Sequence, residues 1–161
     1  MSRRVLLDTN LLIGALEPEP GNRRHEEAGA RLHDLTNDPD VELFITPLIR
    51  YEVLRGVRRI SFANMEAKLD EIQELPIREK EAKRAAELFR LVEEDKDKKK
   101  NLQSDRNEED ACPTCGHHPL NKYSFDLFHY ACAEINRLEI ASQDPHIQQI
   151  QQLIQDSKQN A

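Results

Sequence analysis

At 161 residues the chain has room for one domain with a real hydrophobic core and is too short for two. Charged residues make up 33% and aromatic residues 5%, so helices with solvated faces should dominate. A net charge of −7 argues against a broad basic surface that grips nucleic acid by phosphate neutralisation alone, while leaving open a local basic strip or an acidic pocket that meets phosphates through cations.

Met1-Ser2-Arg3-Arg4 leads into an apolar run, Val5-Leu-Leu-Asp8-Thr-Asn10, which is too short and too acidic for a signal peptide. It reads as a buried strand feeding a helix, with Asp8 where the strand stops and Thr9 and Asn10 able to cap the helix that follows. Asp8 is itself a candidate cap. A short helix over residues 10–16 is ended by Pro18 and Pro20, and Ala28, Leu32 and Leu35 mark a second helix over 22–35. Asn37-Asp38-Pro39-Asp40 is a turn and Val41–Ile45 a second strand. Thr46-Pro47 opens a helix in the preferred order of cap and first-position proline, carrying Tyr51, Glu52 and Leu54 toward Gly56. Residues 61–75 and 79–94 are amphipathic, and Leu75-Pro76-Ile77 between them reads as a very short strand.

From residue 93 to 121 the composition offers little to bury, which marks a charged insertion that either extends the preceding helix or stands alone. Order returns at Tyr123, where Ser124-Phe125-Asp126 starts a helix bearing Leu127, Phe128, Ala131 and Ile135. A strand over 138–142 gives out before Asp144, and Ile147, Ile150, Leu153 and Ile154 make a closing helix. Alternating strands and helices predict an α/β three-layer sandwich around a central parallel sheet, formed as a single domain by residues 1–92 and 122–161. Nowhere do about 18 apolar residues run together to cross a membrane.

Four acids stand out by position: Asp8 and Asp144 at strand ends, Asp126 at a helix start and Glu52 on a helix after a strand. Hard divalent ions such as Mg²⁺ and Mn²⁺ take oxygen ligands and need only a few carboxylates besides water and substrate phosphate. Two such ions roughly 3.5–4 Å apart can stabilise the attacking and leaving oxygens of a phosphodiester cleavage. His-Glu-x-x-His, a phosphate-binding glycine loop and a Gly-x-Ser-x-Gly elbow are all missing, so those enzyme classes lose support. With 30 Asp and Glu in the chain, spacing alone proves no convergence.

The surrounding residues say more. Val5-Leu-Leu-Asp8-Thr-Asn-Leu-Leu-Ile, Ile45-Thr-Pro-Leu-Ile-Arg-Tyr-Glu52-Val-Leu-Arg-Gly56, Phe125-Asp126 leading to Ala131-Cys-Ala133, and Ile140-Ala-Ser142-Gln-Asp144 together resemble the PIN-domain family. Within it, the stretches look most like the toxin ribonucleases of VapC type. The resemblance implies a metal-dependent endoribonuclease in which Asp8, Glu52, Asp126 and Asp144 hold one or two Mg²⁺ or Mn²⁺ ions, with Glu52 or Asp126 helping to orient or deprotonate the attacking water. Thr9, Asn10 and Ser142 match polar positions that steer carboxylates rather than touch metal. Ser142 stands where the family often has Thr, His146 where a further acid is common, and the insertion is longer than the usual connection. A toxin of this kind would have an RNA substrate, an antitoxin protein partner and a second copy of itself. The rival readings are a housekeeping RNA-processing nuclease and an inactive PIN scaffold acting as a binding module through a zinc knuckle in its insertion.

Cys112-Pro-Thr-Cys115-Gly resembles a zinc knuckle, with His117 and His118 available to complete a structural zinc site; a merely polar loop reads equally well. Cys132 lies in an Ala-rich helix and reads as core. Three cysteines without an export signal favour thiols or metal over disulfides, and a cytoplasmic address is expected. Arg50, Arg55, Arg58 and Arg59 form a strip beside Glu52 that either contacts RNA or is a solvated face paired with acids. His129, one turn after Asp126, either reaches the pocket or an RNA phosphate, or is an ordinary surface histidine.

Overall fold

The computed structural model describes residues 2–100 and 123–159. Over these residues four strands and seven helices follow in the order β1 (Arg3–Leu7), α1 (Thr9–Leu16), α2 (Arg23–Asn37), β2 (Val41–Ile45), α3 (Pro47–Gly56), α4 (Phe62–Asp70), β3 (Gln73–Glu74), α5 (Glu79–Lys100), α6 (Tyr123–Asn136), β4 (Glu139–Ala141) and α7 (Pro145–Gln159). The strands form one parallel sheet in the order β3-β2-β1-β4, flanked by the helices, which is the α/β architecture expected from the alternating pattern. β1 lies inside the sheet, pairing with β2 from Arg3↔Val41 to Leu6↔Phe44 and with β4 from Val5↔Glu139 to Leu7↔Ala141. The chain leaves β1 toward β2 on one side and comes back as β4 on the other. Strand order therefore reverses at β1, the place where open α/β sheets leave a crevice beyond their carboxyl ends.

Local chemistry accounts for the elements around that crevice. Val5, Leu6 and Leu7 are at most 1% exposed, as a strand covered on both faces must be. Asn22 accepts from the amides of Arg24 and His25 and caps α2. Thr46 accepts from the Ile49 amide, and Pro47 takes the first helical position of α3. α1 and α2 approach closely because Gly14 has no side chain; a Cβ there would lie 2.9 Å from the Cβ of Ala28. The sheet and α1–α4 share one apolar cluster, and Ala85, Leu88, Leu127, Ala131, Ile150 and Ile154 join α5, α6 and α7 in a second. α6 belongs to both, since Cys132 and Ala133 face the first while Leu127 and Ala131 face the second.

Two expectations need correction. α4 stops at Asp70 rather than running to residue 75, and the short strand is Gln73–Glu74 rather than Leu75-Pro76-Ile77. Its two residues are exposed and join β2 by backbone alone, Phe44↔Gln73 and Ile45↔Glu74, so no apolar period marks them. Leu75 and Ile77 instead pack against the core from beyond the strand. α5 continues to Lys100 and so takes up the start of the segment expected as an insertion. The rest of that segment, including Cys112, Cys115, His117 and His118, lies outside the described residues.

The turn between α3 and α4 is fixed by an acid from α1's end. Glu17 is 3% exposed, and its Oε1 accepts from the amides of Arg58 at 2.7 Å, Ile60 at 3.0 Å and Arg59 between them. Burial pushes its carboxyl up, but the three amides and the Arg59 charge outweigh that and hold it below the ordinary 4.5. A depressed carboxyl adds stability above its unfolded value and loses it as pH falls through the folded one. Glu17→Gln should therefore unfold more easily than wild type at pH 7 by about 1–2 kcal/mol, the scale of charge-assisted hydrogen bonds. Denaturation at a series of pH values checks the sign: the gap should begin to narrow near pH 4.5 and close as pH falls through the lower, folded value.

Candidate active site

Asp8 stands immediately beyond β1, and its own amide continues the ladder by donating to the Ala141 carbonyl at 3.1 Å. It occupies the cap position of α1, so Thr9 and Asn10 are not the caps expected but the first residues of the helix. Nor is Asp8 a capping side chain, since it makes no cap hydrogen bond. Its Oδ2 accepts instead from the Ser142 hydroxyl at 2.7 Å, and Ser142 Oγ accepts from the Asp144 amide at 2.9 Å. One hydroxyl thus joins the ends of β1 and β4. Arg31 of α2 donates to the Ser142 carbonyl at 2.9 Å and steadies the same turn.

Being helical frees Thr9 and Asn10 to reach other acids. Thr9 Oγ1 donates to Glu52 Oε2 at 2.9 Å, and Asn10 Nδ2 donates to Asp144 Oδ2 at 3.1 Å. Asp126 enters from the first turn of α6. His129, on the same helix, is 1% exposed, so the surface reading of that histidine does not hold. Its Nε2 lies 2.6 Å from Glu52 Oε2.

The acids sense one another. Burial first, and then the charges of Asp144, Asp8 and Glu52, push Asp126 up to about 6 against the partial relief of His129. Asp8 is raised chiefly by burial, opposed by the Ser142 hydrogen bond and His129 and assisted by Asp144. Glu52 goes the other way. Burial raises it, but the hydrogen bond and charge of His129, the Thr9 hydroxyl and the charge of Arg55 together hold it below its ordinary value. Asp8, Glu52, Asp126 and Asp144 thus share one electrostatic neighbourhood at the carboxyl edge of the sheet.

The arginine strip is divided. Arg50 is engaged by Glu74 at 2.5 Å and Asp70 at 2.8 Å, and Arg59 by Glu19 at 2.6 Å. Arg55 is exposed and lies over the Tyr51 ring, 5.4 Å from its centroid, while Arg58 is exposed on the turn that Glu17 holds. Arg50 and Arg59 are therefore part of an acid-paired face rather than of one continuous RNA-facing strip.

A profile of the PIN domain matches residues 5–153. The chain belongs to the PIN-domain family. PIN domains are nucleases, commonly dependent on divalent metal ions, and they bind RNA. A comparison of the chain with curated proteins found no match. Among the described residues no helix is long and apolar enough to cross a membrane. The acids of this PIN domain suit a hard cation by chemistry, being oxygen donors whose mutual repulsion a cation would relieve. Among the described residues no three Asp, Glu, His or Cys side chains close on one point, and each of Asp8, Glu52 and Asp144 keeps to protein donors.

Sequence reading found these acids and, through the family resemblance, Thr9, Asn10 and Ser142 as residues that steer them, but not two further contacts. Arg31 carried no signal, being one charge on a charged helix. The Glu52–His129 contact spans separate helices and has no spacing to betray it.

The raised Asp126 carboxyl yields a stability test. A carboxyl raised in the folded state leaves full stability below its unfolded value, about 3.8, and removes it as pH climbs through about 6. With metal chelated, Asp126→Asn should match wild type near pH 4 and exceed it at pH 7. Because the group is only partly buried, the gain should be about 1 kcal/mol rather than the full shift. Melting curves at the two pH values measure it, and a variant less stable than wild type at pH 7 would remove the repulsion argument.

Proposed function

We propose that this PIN domain is a metal-dependent endoribonuclease, the toxin half of a toxin–antitoxin pair that acts as a homodimer in the cytoplasm. The observation that carries the nuclease reading is the acid neighbourhood around Asp126, whose carboxyl is pushed up to about 6 first by burial and then by the charges of Asp144, Asp8 and Glu52. Asp8, Glu52, Asp126 and Asp144 would hold one or two Mg²⁺ or Mn²⁺ ions. A bound ion supplies Lewis-acid polarisation of the scissile phosphate and an activated water. The chain's own residues orient the ligands. Ser142 holds one oxygen of Asp8, Asn10 one oxygen of Asp144, and Thr9 one oxygen of Glu52. Arg55 supports RNA contact, because it is exposed on α3 one turn beyond Glu52 and near enough for its charge to act on that acid. The toxin reading rests on the Glu52-Val-Leu-Arg-Gly56 stretch and its resemblance to VapC-type proteins.

Purified protein incubated with total RNA should cut with Mg²⁺ or Mn²⁺ and stop with chelator. Asp144→Asn and Glu52→Gln should each lower cleavage at least about a hundredfold, the scale of lost electrostatic stabilisation of a transition state. Unchanged cleavage by both variants would end the reading. Induced expression of wild type, but not of Asp144→Asn, should arrest growth of a bacterial host if the chain is a toxin. Growth unaffected by an active nuclease would leave the RNA-processing role.

Arg55→Glu should weaken RNA binding and reduce its salt slope by about one unit, as for the loss of one phosphate contact. Arg50→Glu should instead act mainly on stability, because its guanidinium already joins Asp70 and Glu74. Binding measured across a salt series, beside melting curves, separates the two arginines.

A further inference from the structure

His129 is a polar ring in a position where an apolar side chain would pack at lower cost. It is 1% exposed, and on either side of it along α6 Leu127 and Ala131 are buried among α5 and α7. Its Nδ1 is buried and, among the described residues, has no hydrogen-bond partner. A buried polar atom left without a partner is destabilising, so the ring needs a compensating contact. That contact is Glu52 Oε2, 2.6 Å from Nε2, and it is the ring's one hydrogen bond among the described residues. Glu52 Oε2 also accepts from Thr9 Oγ1, so one oxygen of this acid is held from two elements, α1 and α6, while the acid itself rides on α3.

We propose that His129 is the positioning residue for Glu52 in the nuclease site, pinning Oε2 together with Thr9 so that Oε1 is the oxygen presented to a cation. This role rests on the nuclease reading above. His129 does not touch RNA, since a ring this deeply buried offers no edge to a phosphate. It donates from Nε2 to the Glu52 carboxylate, since an ionised acid oxygen can only accept. Its placement also explains why a histidine sits one turn from Asp126. The same helix that brings an acid into the site brings the donor that orients a second acid.

His129→Leu and His129→Gln test the role, because glutamine places an amide N–H close to where Nε2 lies and leucine places none. The full chain is assayed for RNA cleavage against RNA and Mn²⁺ concentration, and for melting with and without Mn²⁺. His129→Leu should lower kcat at least about tenfold and raise the Mn²⁺ needed for half-maximal activity by a similar factor, the range seen when partners of metal ligands are removed. KM for RNA should stay close to wild type. His129→Gln should recover most of both losses, and the Mn²⁺-induced rise in melting temperature should fall for leucine and return for glutamine. A leucine variant with wild-type kcat and Mn²⁺ requirement overturns the proposal, as does a glutamine variant no better than leucine. Should the leucine variant not fold, the glutamine variant decides alone: a Mn²⁺ requirement close to wild type supports the role, and loss of Mn²⁺ stabilisation overturns it. A wild type that neither cuts RNA nor gains stability from Mn²⁺ sinks the nuclease reading and this role together. A wild type that does both beside an indifferent leucine variant sinks this role only.

Discussion

A carboxylate at the end of a strand whose last three residues are buried is the constraint on which the arrangement turns. Asp8 follows Val5, Leu6 and Leu7 without a break and is itself 3% exposed. Taking an anion out of water costs several kcal/mol unless protein groups replace the lost hydration. Ser142 supplies the replacement, and Ser142 can do so only if β4 runs beside β1 in the register that sets Leu7 opposite Ala141. The Asp8 amide, bonded to the Ala141 carbonyl, fixes the same register from the backbone. Satisfying one buried acid therefore places a second, Asp144, whose amide donates to the same hydroxyl. Strand pairing and site assembly are one event.

Asp126 and Glu52 show how environment divides chemically similar groups. Both are half-buried, and burial is the largest influence raising each. Glu52 receives two donors on one oxygen, from Thr9 and His129, and is held low. Asp126 is pushed up to about 6, by burial first and then by the like charges around it. Stability is thereby spent at the site, as expected where a fold concentrates charge for function. The cost is carried by the apolar clusters on both sides of α6, which hold Asp126 in place despite the repulsion.

Much of this was legible in the sequence, for definite reasons. The Val5-Leu-Leu run and Phe44-Ile45 are apolar because their strands are covered there, and Thr46-Pro47 is a local code for a helix start. Asp8 and Asp144 were found because acids at strand ends interrupt apolar runs. The two-residue strand Gln73–Glu74 was missed because backbone pairing at a sheet edge needs no side-chain pattern. The capping roles expected of Thr9 and Asn10 failed because tertiary acceptors, Glu52 and Asp144, draw those side chains away from the helix end. Three-dimensional pairing also decided the arginines. Arg50 and Arg59 look alike in sequence to Arg55, yet acids from β3, α4 and the α1–α2 connection engage the first two.

That division of arginines bears on how an acidic protein meets an RNA backbone. With a net charge of −7, long-range attraction to a polyanion is not available. Arg3, Arg50, Arg59 and Arg84 are occupied by Glu139, Glu74, Glu19 and Glu134, each at 2.8 Å or less, and their charges are largely compensated within the fold. Arg55 differs in lying exposed beside Glu52, with the Tyr51 ring beneath it rather than a carboxylate. On the nuclease reading proposed above, Arg55 would offer positive charge to a phosphate right beside the acids. On that reading RNA affinity would also depend on the acids being loaded with cations, so the repulsion among them would couple RNA binding to metal binding.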